Sequence, residues 1–511
     1  MAIDGVSGRT SYIGSGILNL RSQLDTLTQQ LSSGKVSSTY AGDGSGRSLA
    51  IGLRSQIAGI SSYSDTMTNV STRINVANLS LQRLADISNE VKGAAVSAGN
   101  TLDNNGQTPG QKTANLDFYD AVDMLNAQSG DRYLFGGRAT DTPPVTAADQ
   151  IMNGNGAGIA GLKQVISERQ QADLGTGGTG RISNAIGTPA TSVTLTEQDA
   201  TPAAPASAVP FGMKLTAIST TIAGATTTQP AAPPTTKSMS IDLNASIPNA
   251  GDQVKLTFQM PDGTSEDITL TASSATPLPA NSFAIGTTPT QTAANLNTAL
   301  TTAVKTLANG PMVAASAIQA GNEFFKQPPM RVTGGGPLST ATTLTAGTKA
   351  DTVFWYNGEQ DSASDPARGT AVAKIDTGVS VQYGIRADEQ ALQQQLKTVA
   401  VFAAFTTSAT DTYANGKVAS LNQRVAQNLA TQPGNQSIQN IQADLAGAQA
   451  AVKATGDRQT QTKVLAQTML DQIEGVNNDE VATKILALQT SLQASYQATA
   501  QLYQMSLVKF L

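Results

Sequence analysis

The chain has 511 residues and a formal net charge of −5; charged residues make up only 14% and aromatics 4%, against about 25% charged in an ordinary globular domain. So weak a charge does not steer a protein onto DNA or an anionic membrane, and no Lys/Arg cluster stands out. Cys and His are both absent, which excludes disulfides, thiol chemistry, the usual zinc sites and His-based catalytic triads. A chain poor in aromatics favours long, thin helix-on-helix packing over one large core.

The N-terminal stretch lacks a charged region followed by an apolar one, so no cleaved secretory signal is expected. No apolar run reaches the roughly 18 residues of a membrane span. Residues 10–33 carry Ile13, Ile17, Leu20, Leu24, Leu27 and Leu31, at spacings of 4, 3, 4, 3 and 4. That is a heptad seam, the pattern of a helix packed lengthwise on another helix. "SSGK" at 32–35 supplies a glycine stop, and 34–48 reads as a loop.

A second helix is expected from about 47 to 100, with Leu53, Ile57, Ile60, Ser64, Met67, Val70, Ile74, Ala77, Leu81, Leu84, Val91 and Ala95 on one side. "GNTLDNNGQTPGQ" breaks it, and a third helix covers roughly 110–129. Pro143 and Pro144 then forbid continuation. Residues 140–385 are rich in Thr, Ala, Pro and Gly. In "QVKLTFQM", Val254, Leu256, Phe258 and Met260 alternate on one face; "PDGT" turns the chain and "DITLTA" returns it. Residues 290–308 read as a helix, and strands are expected at 353–356, 371–376 and 379–384. Helical pattern resumes at 386. The stretch 478–511 carries Val481, Ile485, Leu488, Leu492, Tyr496, Tyr503, Leu507 and Phe510 near a 3.6-residue period.

The expected fold class is therefore mixed. An elongated, all-α coiled-coil stalk is built from both termini, with β-rich and α+β outer domains inserted between. The divisions are 1–45 (N-terminal core helix and loop), 46–140 (helical stalk), 141–236 (variable insertion and linker), 237–310 (α+β module), 311–385 (β-rich module), 386–475 (helical stalk) and 476–511 (C-terminal core helix). Helices at the two ends share a core only by folding back against each other.

Little in the chain suggests catalysis. "GTGGTGRIS" at 175–183 lacks the GK[ST] of a phosphate cradle and has no strand leading into it, so it reads as a linker. "YAGDGSGRS" lacks the alternating oxygen ligands of a calcium loop. The neighbours Asp479 and Glu480 point to different sides of a helix and suit its first turn. No catalytic, cofactor or metal site is expected. We read the stripes at 13–31 and 481–510 as contacts between molecules, since nearly uncharged apolar surface on that scale marks an interaction site. The self-assembly candidates are Ile13, Ile17, Leu20, Leu24, Leu27 and Leu31 at one end. At the other they are Ile485, Leu488, Leu492, Tyr496, Tyr503, Leu507 and Phe510.

The block "LTQQLSSGKVSSTYAGDGSGRSLAIGLRSQIAGI" resembles the N-terminal signature of bacterial flagellins, carried by Leu31-Ser32-Ser33-Gly34 and Leu49-Ala50-Ile51. "NNDEVATKILALQTSLQASYQATAQLYQMSLVKFL" resembles the closing flagellin segment, with Asp479 and Ala482 at its acidic start and Ser506-Leu507 near its end. The likeness covers about 1–140 and 385–511, and 237–309 resembles an insert of some flagellins. "DRYLFGGRATDTPPV" and "VQYGIRADEQAL" look instead like the hook–filament junction branch of the family.

The resemblance implies a structural, non-enzymatic axial subunit without cofactor, flagellin or alternatively the junction protein. It implies export in unfolded form through the flagellar apparatus, with a chaperone and without a cleaved signal. It further implies an extracellular location and self-polymerisation alongside other axial, hook-associated and cap proteins, with no nucleic-acid or membrane partner. A binding module in 140–385 is the alternative from another class.

Overall fold

The computed structural model describes residues 4–97, 99, 101–156, 158–198, 209–230, 237–334, 336–360 and 366–508; at 4–10, 40, 43 and 505–508 it describes the backbone alone. In chain order, α1 (Asp4–Ser33), α2 (Arg47–Ser97) and α3 (Pro109–Leu125) come first. A small hairpin of β1 (Gln128–Ser129) and β2 (Arg132–Tyr133) precedes α4 (Ala148–Asn153) and α5 (Leu162–Leu174). Eight strands follow: β3 (Ile182–Ile186), β4 (Ser192–Glu197), β5 (Lys214–Thr220), β6 (Thr226–Thr228), β7 (Ser238–Asp242), β8 (Gln253–Gln259), β9 (Ser265–Ser273) and β10 (Ser282–Ala284). Next are α6 (Pro289–Leu307), α7 (Val313–Phe324), β11 (Met330–Thr333), β12 (Thr343–Ala346), β13 (Val372–Asp376) and β14 (Val379–Gln382). The chain returns to helix in α8 (Gln390–Ala404), α9 (Ala414–Asn428), α10 (Ile438–Glu474) and α11 (Asn478–Val508). Helical ends thus enclose a β-rich middle, the mixed class that the residue pattern predicts.

The chain divides into two compact units. Unit one comprises 1–71, 373–381 and 448–511; unit two comprises 72–372 and 382–447.

In unit two, one sheet has the order β3-β4-β7-β6 and another β10-β9-β8-β5. The period-2 pattern in β8 does what it predicts: Val254, Leu256 and Phe258 are all buried. The β8–β9 turn closes with Gly263 N donating to Met260 O at 2.9 Å, and Asp262 accepts from Thr264 N at 3.0 Å. α6 starts where expected, because Thr288 Oγ1 caps it by accepting from Gln291 N at 3.1 Å, with a proline in its first turn. Its Leu296, Leu300 and Val304 join the two sheets in one hydrophobic core with Val193, Leu195, Ile241, Leu256 and Phe258. Members of that core come from both sides of the 236/237 division. Full burial of each such side chain is worth about 1.5–3 kcal/mol.

The apolar stripe of α2 is buried from Met67 to Ala95 in unit two and at the end of unit one, whereas Ser64 is exposed. The expected strand at 353–356 does not form. That segment makes only the isolated bridge of Tyr356 with Val145, while Thr352 just before it bridges Ala160. Its Trp355 is completely buried and donates Nε1–H to Phe325 O at 2.9 Å, so burial of the indole shapes the segment more than strand pairing does. Four α-helices have no counterpart in the sequence reading: α4, α5, α7 and α9.

In unit one, the part of α2 up to residue 71 packs on the part of α10 from 448 onward. Ala50 and Leu53 are buried against Ala466 and Leu470, with Ile57 and Ile473 beside them. The tip of the β13–β14 hairpin joins them: Gln459 Nε2 donates to Ile375 O at 2.8 Å, and Arg458 pairs with Asp376 at 2.6 Å.

Candidate assembly surfaces

α1 and α11 pack along each other. Their direction is fixed where α1 ends and α11 begins. Residues 34–36 and 474–476 form an antiparallel clip, with Val36 N donating to Glu474 O at 2.7 Å and Val476 N to Gly34 O at 3.1 Å. The two helices leave the clip side by side, so α11 runs antiparallel to α1. Gly34 sits at φ 68°, the left-handed conformation that ends a helix cheaply only with glycine. Gly475 is required for a different reason: a Cβ there would lie 2.4 Å from Asp471 O.

The clip is pinned by charge. Arg54 donates to both oxygens of Glu474, at 2.9 and 2.6 Å, and Lys35 Nζ lies 3.5 Å away. The hydrogen bond from Arg54, with Lys35 adding to it, holds the Glu474 carboxyl below its ordinary value.

The stripe in α1 is half-buried at Ile13, Ile17, Leu20, Leu24 and Leu27, and then at Gln30. Leu31 falls outside it, at 39% exposure. In α11 the packed positions are Val481, Ile485, Leu488 and Leu492, followed by Ser495 and Thr499. Tyr496 and Tyr503 are instead 51% and 62% exposed. Helices that pack lengthwise keep a 3.5-residue repeat, and a 3.6 reading drifts from it by about 20° per heptad. By the third heptad of α11, that drift has moved the expected face onto the neighbouring residues. The side chain of Leu507 and the whole of Phe510 lie outside the described residues.

Half-buried seams leave the other sides of these helices free. Tyr12, Leu18, Leu486, Tyr496, Leu502 and Tyr503 are all exposed on α1 and α11. Leu49, Ile51, Val464, Leu465 and Met469 are exposed on the other helices of unit one. Most of the exposed large hydrophobic residues among those described therefore lie in the smaller unit. α11 has no charged residue after Lys484. A sparsely charged helix pair with apolar residues facing outward has the composition of a surface that becomes covered. Among the described residues, no group of three or more Asp or Glu could hold a metal ion, and no helix is long and apolar enough to cross a membrane.

In unit two, the segments of "DRYLFGGRATDTPPV" and "VQYGIRADEQAL" come together. Ala387 N donates to Phe135 O at 2.9 Å and Gly137 N to Ile385 O at 3.3 Å. Glu359, which carries no sequence signal, fastens the same place by accepting from Arg138 N at 2.8 Å and pairing with the Arg138 guanidinium.

No curated protein matches the chain. Residues 9–140 match the family model described as the bacterial flagellin N-terminal helical region, which takes in α1, the 34–46 loop, α2 and α3. That match covers about a quarter of the chain, from within α1 through the 34–36 side of the clip to the hairpin after α3, and over that stretch the chain is similar to the N-terminal helical region of bacterial flagellins.

Proposed function

We propose that the chain is flagellin itself, the repeating subunit of the flagellar filament, and that it polymerises through α1 and α11. The observation that carries this reading is the uncharged α11 seam with exposed Leu486, Tyr496, Leu502 and Tyr503 outside it, in a chain whose first helices match the flagellin region. Each subunit buries these residues against neighbours, at roughly 25 cal/mol per Å² of apolar surface. Head-to-tail contacts that do not close on themselves give an open helical tube. The assembly residues are the stripe from Ile13 to Leu31 and that from Ile485 to Phe510. Residues 141–385 face outward as inserted modules. The subunit leaves the cell unfolded through the flagellar export apparatus, accompanied by a chaperone. It is added extracellularly beneath a cap, acts without enzymatic chemistry, and binds neither nucleic acid nor membrane.

A second reading, the hook–filament junction protein, is favoured by the pairing of the 135–138 and 385–387 segments, whose motifs resemble that branch. Quantifying the chain in sheared filaments separates the two. A major component of the filament supports flagellin; a few copies per filament support the junction protein.

A further inference from the structure

A cavity of about 300 Å³ opens in unit two between α2, α8 and the connection from α9 to α10. Neither charged nor aromatic side chains line it; carboxamides dominate, with the hydroxyls of Ser88, Thr431 and Ser437. Three of the carboxamides are tied down, Gln432 by donating Nε2 to Gln427 O at 3.2 Å. Gln436 Oε1 accepts from Ala391 N at 3.3 Å and its Nε2 donates to Glu389 at 3.0 Å, while Asn435 Oδ1 accepts from Gln390 Nε2 at 3.4 Å. Others are not. The side-chain amides of Gln394 and Asn428 are half-buried at the cavity, and that of Asn89 stands at its lip; none of the three hydrogen-bonds to another described residue. Gln395, 5% exposed, donates Nε2 to Leu84 O and leaves its Oε1 buried without a partner.

The lining excludes most ligand classes. An anion or cation finds no counter-charge. An apolar molecule strands carboxamides away from water, which costs free energy for each unpaired group. A nucleobase finds no aromatic surface to stack on. Each carboxamide offers a donor and an acceptor side by side. A pair of neighbouring hydroxyls, which both donate and accept, matches that arrangement. Ala85, Ala391, Leu429 and Ile438 supply apolar wall for the C–H face of a ring. The volume lies at the lower end of ligand pockets, about 300–1,000 Å³. We propose that this cavity binds a neutral saccharide of one or two rings through Gln394, Asn428 and Asn89.

The test is saturation-transfer difference NMR on the full chain with glucose, galactose, maltose and trehalose, and with glucuronate as a charged control. The expected result is saturable binding of at least one neutral sugar, no binding of glucuronate, and at least a tenfold weakening in Gln394→Leu and Asn428→Leu. Asn89→Ala, at the exposed lip, weakens binding without altering the melting curve and keeps the test sound if a buried variant fails to fold. Absence of binding by all four neutral sugars overturns the proposal. So does equal binding by the variants or by glucuronate. Loss of self-association in Gln394→Leu, with no sugar bound by the wild type, would assign the cavity to a second copy of the chain instead.

Discussion

Arg54 and Glu474, 420 positions apart in sequence, form a two-pronged ion pair at 2.9 and 2.6 Å, and it sits on the clip that sets α1 against α11. A carboxyl lowered on folding contributes stability above its unfolded value, near 4.5, and loses that contribution as the pH falls through the folded value. Because Arg54 is 39% exposed, solvent screens the pair. Glu474→Gln is therefore expected to cost about 1 kcal/mol at neutral pH. Thermal melts of variant and wild type converge once the pH is taken below the lowered value. Hydrogen exchange at neutral pH shows faster opening of the α1–α11 amides in the variant.

The seam separates packing from outward display. Leu24→Asp or Leu492→Asp places a charge in the helix pair, so loss of protection in both α1 and α11 by hydrogen exchange is expected. Tyr496→Ser and Tyr503→Ser, at exposed positions, leave monomer stability within about 0.5 kcal/mol and slow polymerisation followed by light scattering.

Asp117 on α3 is 6% exposed, with Oδ2 buried and unpartnered. Burial first, and then the charge of Glu90, pushes its carboxyl up to about 6 from an ordinary 3.8. A carboxyl raised on folding destabilises the fold above that value, and the penalty fades as the pH falls toward the unfolded value. Asp117→Asn is thus expected to stabilise unit two by about 1–2 kcal/mol at neutral pH, with the gain vanishing toward about pH 4. Chemical denaturation at the two pH values checks it.

Arg169 is the opposite case. It is 2% exposed, pairs with Asp173 at 2.8 Å and with Glu323, and lies 5.0 Å from the Phe211 ring centre. Glu323→Ala leaves that guanidinium only partly paired in the interior. A loss of about 3–5 kcal/mol is expected, read as a lower denaturation midpoint of unit two.

Arg169 also explains what the sequence concealed. α5 buries Glu168, Arg169 and Asp173, so its inward face looks polar and no apolar stripe appears. α7 fails for a different reason: at twelve residues, ten of them buried, it offers only Gln319 and Asn322 as a wet face, too short a polar marking to set against the Ala-rich run. α2, β8, β9 and α6 were legible because each has one wet face and one dry face. The stripes along α1 and α11 were legible as heptads, and the drift at Tyr496 was not, because a period of 3.5 differs from 3.6 only over several turns. The clip was invisible in sequence, since Arg54 and Glu474 are brought together by the folding of α2 against α10.

The most direct test of self-assembly through the terminal helices is electron microscopy of the full chain and of a chain lacking residues 492–511, both at polymerising concentration. Filaments from the full chain and only cooperatively melting monomer from the shortened one are expected. Filaments from the shortened chain would contradict the account.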